Sequence, residues 1–147
     1  MGHAMELREL DRGECLQLLG RAAIGRVVFT DLAMPAAAPV NYALDDEEII
    51  FRTATGGKLA AAIHHAVVAF EVDEIDARTH TGWSVLGIGE AYQIVDPERL
   101  ARLSGQIPRP WIFGHDERTI CIPLQVLSGR RLSVASWVSD GLCGFPA

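Results

Sequence analysis

Apolar and polar positions divide the chain into short alternating runs separated by turn residues, with three brief stretches of helical spacing. Asp11-Arg12-Gly13-Glu14 reads as a capping box, with Asp11 as N-cap and Glu14 reaching back. Cys15, Leu16, Leu18 and Leu19 then fit a short amphipathic helix that ends near Gly20 or Arg21-Ala22. A strand over 24–30 follows, then a turn over 31–35, a second strand over 37–44, a turn at Asp45-Asp46-Glu47 and a third strand over 48–53. Residues 57–65 carry Leu59, Ala60, Ala62 and Ile63 as a brief helix, and 67–72 form the next strand. The longest strand is expected over 82–95. One parity there holds Leu86, Ile88, Tyr92 and Ile94, and the other holds Trp83, Val85, Gly87, Gly89 and Ala91, whose small members predict close approach of another backbone, a bulge or a ligand. Pro97 opens a helix through about Leu103. A loop spans 107–115, an alternating strand spans 119–127, and Ser128-Gly129 is read as a turn into a last strand over 131–135. Six or more strands with short turns predict a mainly β fold, an antiparallel small barrel with short helices. The whole of 1–147 reads as one domain, with 136–147 as a C-terminal arm lacking periodicity.

Composition narrows the class. Of the 147 residues, 49% are hydrophobic and 22% charged, as in a globular protein with a substantial core. No apolar run approaches the roughly 20 residues that span a bilayer. No secretory signal precedes the first helix, and residues 1–4 read as a tag remnant before a native start at Met5. Cys15, Cys121 and Cys143 form no CxxC pair, which suits a reduced, cytoplasmic protein without a disulfide framework or zinc site. A net charge of −6 argues against general nucleic-acid binding, which rests on phosphate neutralisation.

The candidate chemistry centres on residues 49–59. An apolar run turns polar at Arg52 and Thr53, passes Gly56-Gly57 and opens a helix at Lys58. A strand, a glycine turn and a helix start direct backbone N–H groups at one spot, which suits a phosphate. Arg52 offers a two-donor fork, Lys58 a point charge and Thr53 a hydroxyl. An ordinary strand-to-helix turn with solvated cations fits the same spacing. The segment lacks the G-x-x-x-x-G-K-[ST] spacing of a nucleoside-triphosphate loop, and no G-x-G-x-x-G follows a strand in a βαβ unit. The five histidines lack zinc or metalloprotease spacing, so no metal site is expected, and no serine-histidine-aspartate set can be placed. Glu71, Asp73, Glu74 and Asp76 read as a solvated strand end, and Trp83 and Trp111 as core, ring or interface aromatics.

The ordered set Ile24-Gly25-Arg26-Val27-Val28-Phe29, Pro39-Val40-Asn41-Tyr42, Phe51-Arg52-Thr53 through Gly57-Lys58-Leu59, Val68 to Asp73, and Gly82-Trp83-Ser84-Val85 with Gly89 resembles the pyridoxamine 5'-phosphate oxidase-like, FMN-binding split-barrel superfamily. It is most similar to the compact flavin- or deazaflavin-dependent oxidoreductase branch. The resemblance implies that Arg52, Thr53, Gly57 and Lys58 grip the FMN phosphate, and that Pro39, Val40 and Asn41 run along the flavin ring. It implies that Trp83, Ser84 and Val85 come from the partner subunit of a homodimer. Proline stands at 39, where the true oxidase has arginine on the ring-side strand, and no C-terminal Arg-x-x-x-Arg motif follows Arg130-Arg131. Arg52 stands where a nitroimidazole-reductase-like branch tends to have histidine. The expected function is therefore that of an FMN-dependent oxidoreductase acting on an unspecified small molecule, with no side chain assigned as acid or base. A deazaflavin coenzyme on the same fold, or a non-catalytic flavin-binding module, are the alternatives.

Overall fold

The computed structural model describes residues 4–54, 57–109 and 117–134. The chain opens with β1 (Met5–Leu10), which the sequence reading left unassigned, and enters α1 (Arg12–Arg21). The capping box at Asp11 and Glu14 is formed, an arrangement that stabilises a helix start by about 1 kcal/mol. Then follow β2 (Ile24–Asp31), β3 (Met34–Asn41), β4 (Ala43–Asp45), β5 (Glu48–Ala54) and α2 (Lys58–Ala62). The remainder is β6 (Val67–Asp76), β7 (Thr81–Glu90), β8 (Tyr92–Gln93), α3 (Pro97–Leu103), β9 (Glu117–Pro123) and β10 (Val126–Val134).

The strands form two antiparallel sheets, β1-β10-β7-β6-β2-β3 and β4-β5-β9-β8, which do not close into one cylinder. This is the split barrel expected from the resemblance. Two of the expected long strands are each divided between the sheets. The 37–44 run breaks at Tyr42, whose amide donates to Ala23 O (3.2 Å) and whose hydroxyl donates to Leu19 O (2.6 Å). The 82–95 run breaks at Ala91, whose amide donates to Ala66 O (2.8 Å). Both residues are buried, so alternating apolarity continues through the crossing and conceals it.

The expected turn at Ser128-Gly129 is a correction. The chain turns at Leu124-Gln125 instead, where the Leu124 amide donates to Glu47 O (3.2 Å), and β10 runs unbroken through Gly129. Gly129 is small because the Cys15 sulfur of α1 packs on it, at 2.7 Å from where a Cβ would stand. The strand expected over 67–72 extends to Asp76, so the acidic run forms the exposed end of β6. The small parity of β7 does mark close approach, since a Cβ at Gly89 would collide with the Pro123 carbonyl.

The core lies between the sheets. Val27, Phe70, Val72 and Val85 of the large sheet face Ile49, Phe51, Ile120 and Ile122 of the small one, and α1 adds Cys15, Leu18 and Leu19. Each such buried aliphatic side chain contributes roughly 1.5–3 kcal/mol. On the far side of the small sheet Ile50 and Cys121 pack beneath α3 against Leu103 and Ile107. The far side of the large sheet has no such cover among the described residues: Ile24, Val28, Val67, Ile75, Leu86 and Val126 are all exposed there. No helix among the described residues is long and apolar enough to cross a membrane.

Candidate functional site

β5 carries the leading candidates, and its alternation separates them. Arg52 shares a face with Glu48 and Ile50, toward α3, whereas Thr53 shares a face with Ile49 and Phe51. Both are half-buried. The Arg52 guanidinium donates through Nη2 to the Ser104 carbonyl at the end of α3 (3.1 Å) and pairs with no carboxylate among the described residues. Gly57 follows as an exposed N-cap with no side-chain hydrogen bond at the start of α2, which Lys58 opens.

The segment after α3 joins β5 to β3. Arg52 contacts it at Ser104, and Asn41, the last residue of β3, donates through Nδ2 to the Arg109 carbonyl (3.5 Å). Arg52 and Asn41 thus border one segment, although 11 positions separate them in the chain. Pro39 is exposed opposite Arg26 on the outer face of the large sheet, and Val40 turns inward. The Trp83-Ser84-Val85 stretch divides in the same manner. Trp83 and Val85 point into the protomer's own interior, with 8% and 1% exposure, and Ser84 points outward.

Two features escaped the sequence reading. Arg118 stands opposite Thr53 in the β5–β9 ladder, so a second guanidinium rises on the Thr53 side. Nothing in the sequence pairs β5 with β9, and Arg118 lies between the expected loop over 107–115 and the expected strand over 119–127. The second feature is a polar cluster on the Arg52 face. Tyr92 Oη and Cys121 Sγ both donate to Glu48 Oε2 (3.1 and 2.7 Å), and Arg99 of α3 donates to Tyr92 Oη (2.6 Å) and Glu48 Oε1 (3.5 Å). Burial, and for the thiol also Glu48, pushes Cys121 up to about 12, and burial pushes Tyr92 up to about 12. Both groups are therefore neutral donors at neutral pH. The cluster straps α3 to the small sheet and so holds the segment that meets Arg52 and Asn41.

Comparison with known proteins identifies the fold and the family. Residues 11–131 match the family described as pyridoxamine 5'-phosphate oxidase. An uncharacterized protein of Mycobacterium tuberculosis is 38% identical over 134 residues, covering 88% of each chain. Among solved structures, the FAD binding protein from Mycobacterium smegmatis is 30% identical with a TM-score of 0.77, covering 87% of this chain and 100% of its own. A provisionally named pyridoxamine 5'-phosphate oxidase from Corynebacterium glutamicum is 27% identical with a TM-score of 0.75, covering 88% of this chain and 100% of its own. A match over most of the length, on a split barrel with the strand order described, has one meaning: the chain belongs to the pyridoxamine 5'-phosphate oxidase family.

Proposed function

We propose that the protein is a flavin-dependent oxidoreductase that works as a homodimer and binds FMN non-covalently, its phosphate end at the junction of β5 and α2. The observation that carries this reading is Arg52. Its guanidinium is anchored by one nitrogen on a backbone carbonyl and lacks a carboxylate partner among the described residues, which leaves donors for an anion. Thr53, the Gly57 N-cap and Arg118 stand at the same strand end, so the donor set fits a phosphate. In this reading Lys58 adds a second cation, and Pro39 to Asn41 border the ring. The FAD binding protein from Mycobacterium smegmatis supports a flavin, since FMN and FAD share the ring and its first phosphate.

The uncovered face of the large sheet supports the dimer. The exposed Ile, Val and Leu side chains of this face, set among the charges of Arg26, Glu71 and Asp73, suit an interaction surface, and a second copy would bury the same residues symmetrically. Ser84 lies on that face and is the member of the 83–85 stretch available to a partner's cofactor. A bound flavin supplies hydride or single-electron transfer. The chain's own residues hold the phosphate, orient the ring and exclude water from it.

Purification with its resident cofactor, followed by release and mass spectrometry, tests the assignment. FMN supports it; FAD or a deazaflavin coenzyme would replace the cofactor within the same site. Charge-assisted contacts contribute about 1.5–3 kcal/mol each, so Arg52→Ala with Lys58→Ala is expected to weaken flavin binding at least about 100-fold with an unchanged circular dichroism spectrum. Undiminished affinity would refute the phosphate grip, and a cofactor-loaded monomer in sedimentation would refute the dimer.

A further inference from the structure

On the inner face of the large sheet the apolar core stops before the sheet does. Val72 of β6, Val85 of β7 and Gly129 of β10 lie side by side and close it. The next inward-facing row is Glu74, Trp83 and Arg131, and the row beyond it begins with Asp76 and Thr81. The last turn of α1, bearing Arg21, borders these rows, and a cavity of about 420 Å³ lies between them. That volume falls within the roughly 300–1,000 Å³ of small-molecule pockets.

The charges around the cavity are arranged by type. Trp83, nearly buried, occupies the middle strand. Glu74 flanks it on one side and Arg131 on the other, their backbones two strand spacings, or about 10 Å, apart. Arg21 supplies a second guanidinium from the helix. Among the described residues, the side chains of Arg21, Arg131 and Glu74 form no ion pair with one another or with any other residue. Asp76 is already engaged, since its Oδ1 accepts from the amides of Arg78 (2.8 Å) and Thr79 (3.3 Å) in the β6–β7 turn. A strand row that would ordinarily extend the core instead presents an acid, an indole and a guanidinium in sequence.

We propose that this cavity binds a small planar zwitterion. The anionic group meets Arg131 and Arg21, the cationic group meets Glu74, and the ring lies against Trp83. The guanidiniums suit a carboxylate or phosphate, and the indole suits a flat ring. The roughly 10 Å between the flanking strands selects a ligand whose charges sit at opposite ends of a ring rather than on one carbon. The inference does not depend on the flavin reading, because Arg52, Thr53 and Gly57 do not line the cavity, and Trp83, which the resemblance gives to a partner's flavin, faces its own protomer's interior.

Isothermal titration calorimetry on the full chain tests it with 4-(aminomethyl)benzoate as probe, and benzoate and benzylamine as single-charge controls. The zwitterion is expected to bind at least about tenfold more tightly than either control, since one charge-assisted pair contributes about that much. Arg131→Gln and Glu74→Gln should each remove that advantage, and Arg21→Gln should reduce it in part. All three substitutions replace solvent-accessible side chains, and circular dichroism confirms the fold. Arg52→Ala should leave probe binding unchanged while impairing flavin binding, which separates the two sites. Absence of zwitterion binding, equal affinity for the three probes, or affinity that survives both Arg131→Gln and Glu74→Gln would overturn the proposal.

Discussion

Replacing Arg99 by alanine tests whether the strap between α3 and the small sheet holds the fold. Arg99 donates to Tyr92 Oη at 2.6 Å and lies 3.5 Å from Glu48 Oε1, with side-chain exposures of 21% for Arg99 and 32% for Glu48. A solvent-exposed ion pair contributes about 0–1 kcal/mol, whereas breaking a buried pair costs about 3–5 kcal/mol. The Arg99 pair lies between these limits, and its loss also leaves the Tyr92 hydroxyl without its cation, so about 2 kcal/mol is expected. In a chain of 147 residues that lowers Tm by about 6 °C.

Thermal and urea denaturation followed by circular dichroism measure the change, and Arg102→Ala on the same helix is the matched control. Arg102 lies 3.8 Å from Asp45 and is 61% exposed, so its loss should cost under about 0.5 kcal/mol. If Arg99→Ala shifts Tm no more than Arg102→Ala does, the cluster is an ordinary surface pair and the reasoning fails. Because α3 delivers the carbonyl that anchors Arg52, Arg99→Ala should also weaken flavin binding, with the larger effect in the dissociation rate.

Two further predictions concern the large sheet. The β2–β3 hairpin turns through Leu32 and Ala33 with φ of 50° and 64°, a left-handed pair that costs about 1–2 kcal/mol per non-glycine residue. Leu32 is 92% exposed and loses no packing on substitution. The double variant Leu32→Asn with Ala33→Gly supplies the pair such turns prefer and should raise Tm by a few degrees; an unchanged or lower Tm would contradict the strain. On the outer face, burial and the neighbouring Asp73 raise Glu71 to about 7, against an opposing effect of Arg26. A raised carboxyl stabilises the fold below its unfolded value near 4.5, and that contribution is lost as pH rises through about 7. Urea midpoints for Glu71→Gln should therefore vary less across pH 4.5–7 than those of the unaltered protein. Parallel curves for the two would remove Glu71 as the cause.

How far the sequence carried the fold depended on the range of each signal. The α1 capping box needs only Asp11 and Glu14, and both ends of the interaction lie within one helical turn. The β2–β3 and β4–β5 hairpins are legible for the same reason, since their turns join neighbours in the chain. Tyr42 and Ala91 mark where that reasoning stops. At each, the strand leaves one sheet for the other, yet a buried residue at the crossing preserves the alternation, and the amide finds its partner at a distant position. β1 stayed unassigned because Met5, Leu7 and Glu9 face outward beside β10, so a mixed pattern replaced a clean one.

The candidate site divides along the same line. Composition and order brought Arg52, Thr53, Gly57 and Lys58 together as one segment, but a strand places consecutive side chains on opposite faces. Arg52 reaches α3, where Glu48 and Arg99 fix the helix that supplies its carbonyl, and Thr53 turns toward Arg118 on a strand 65 positions away in the chain. On the proposed reading, an anion at this strand end would be approached from two sides, one side local and one assembled by β9. That arrangement carries a consequence for single variants: Arg52→Ala removes one side and leaves the other, so residual phosphate affinity should persist in it and fall further in the Arg52→Ala, Arg118→Ala pair. Equal affinities for the single and double variants would mean that Arg118 takes no part, and that the local segment alone forms the grip.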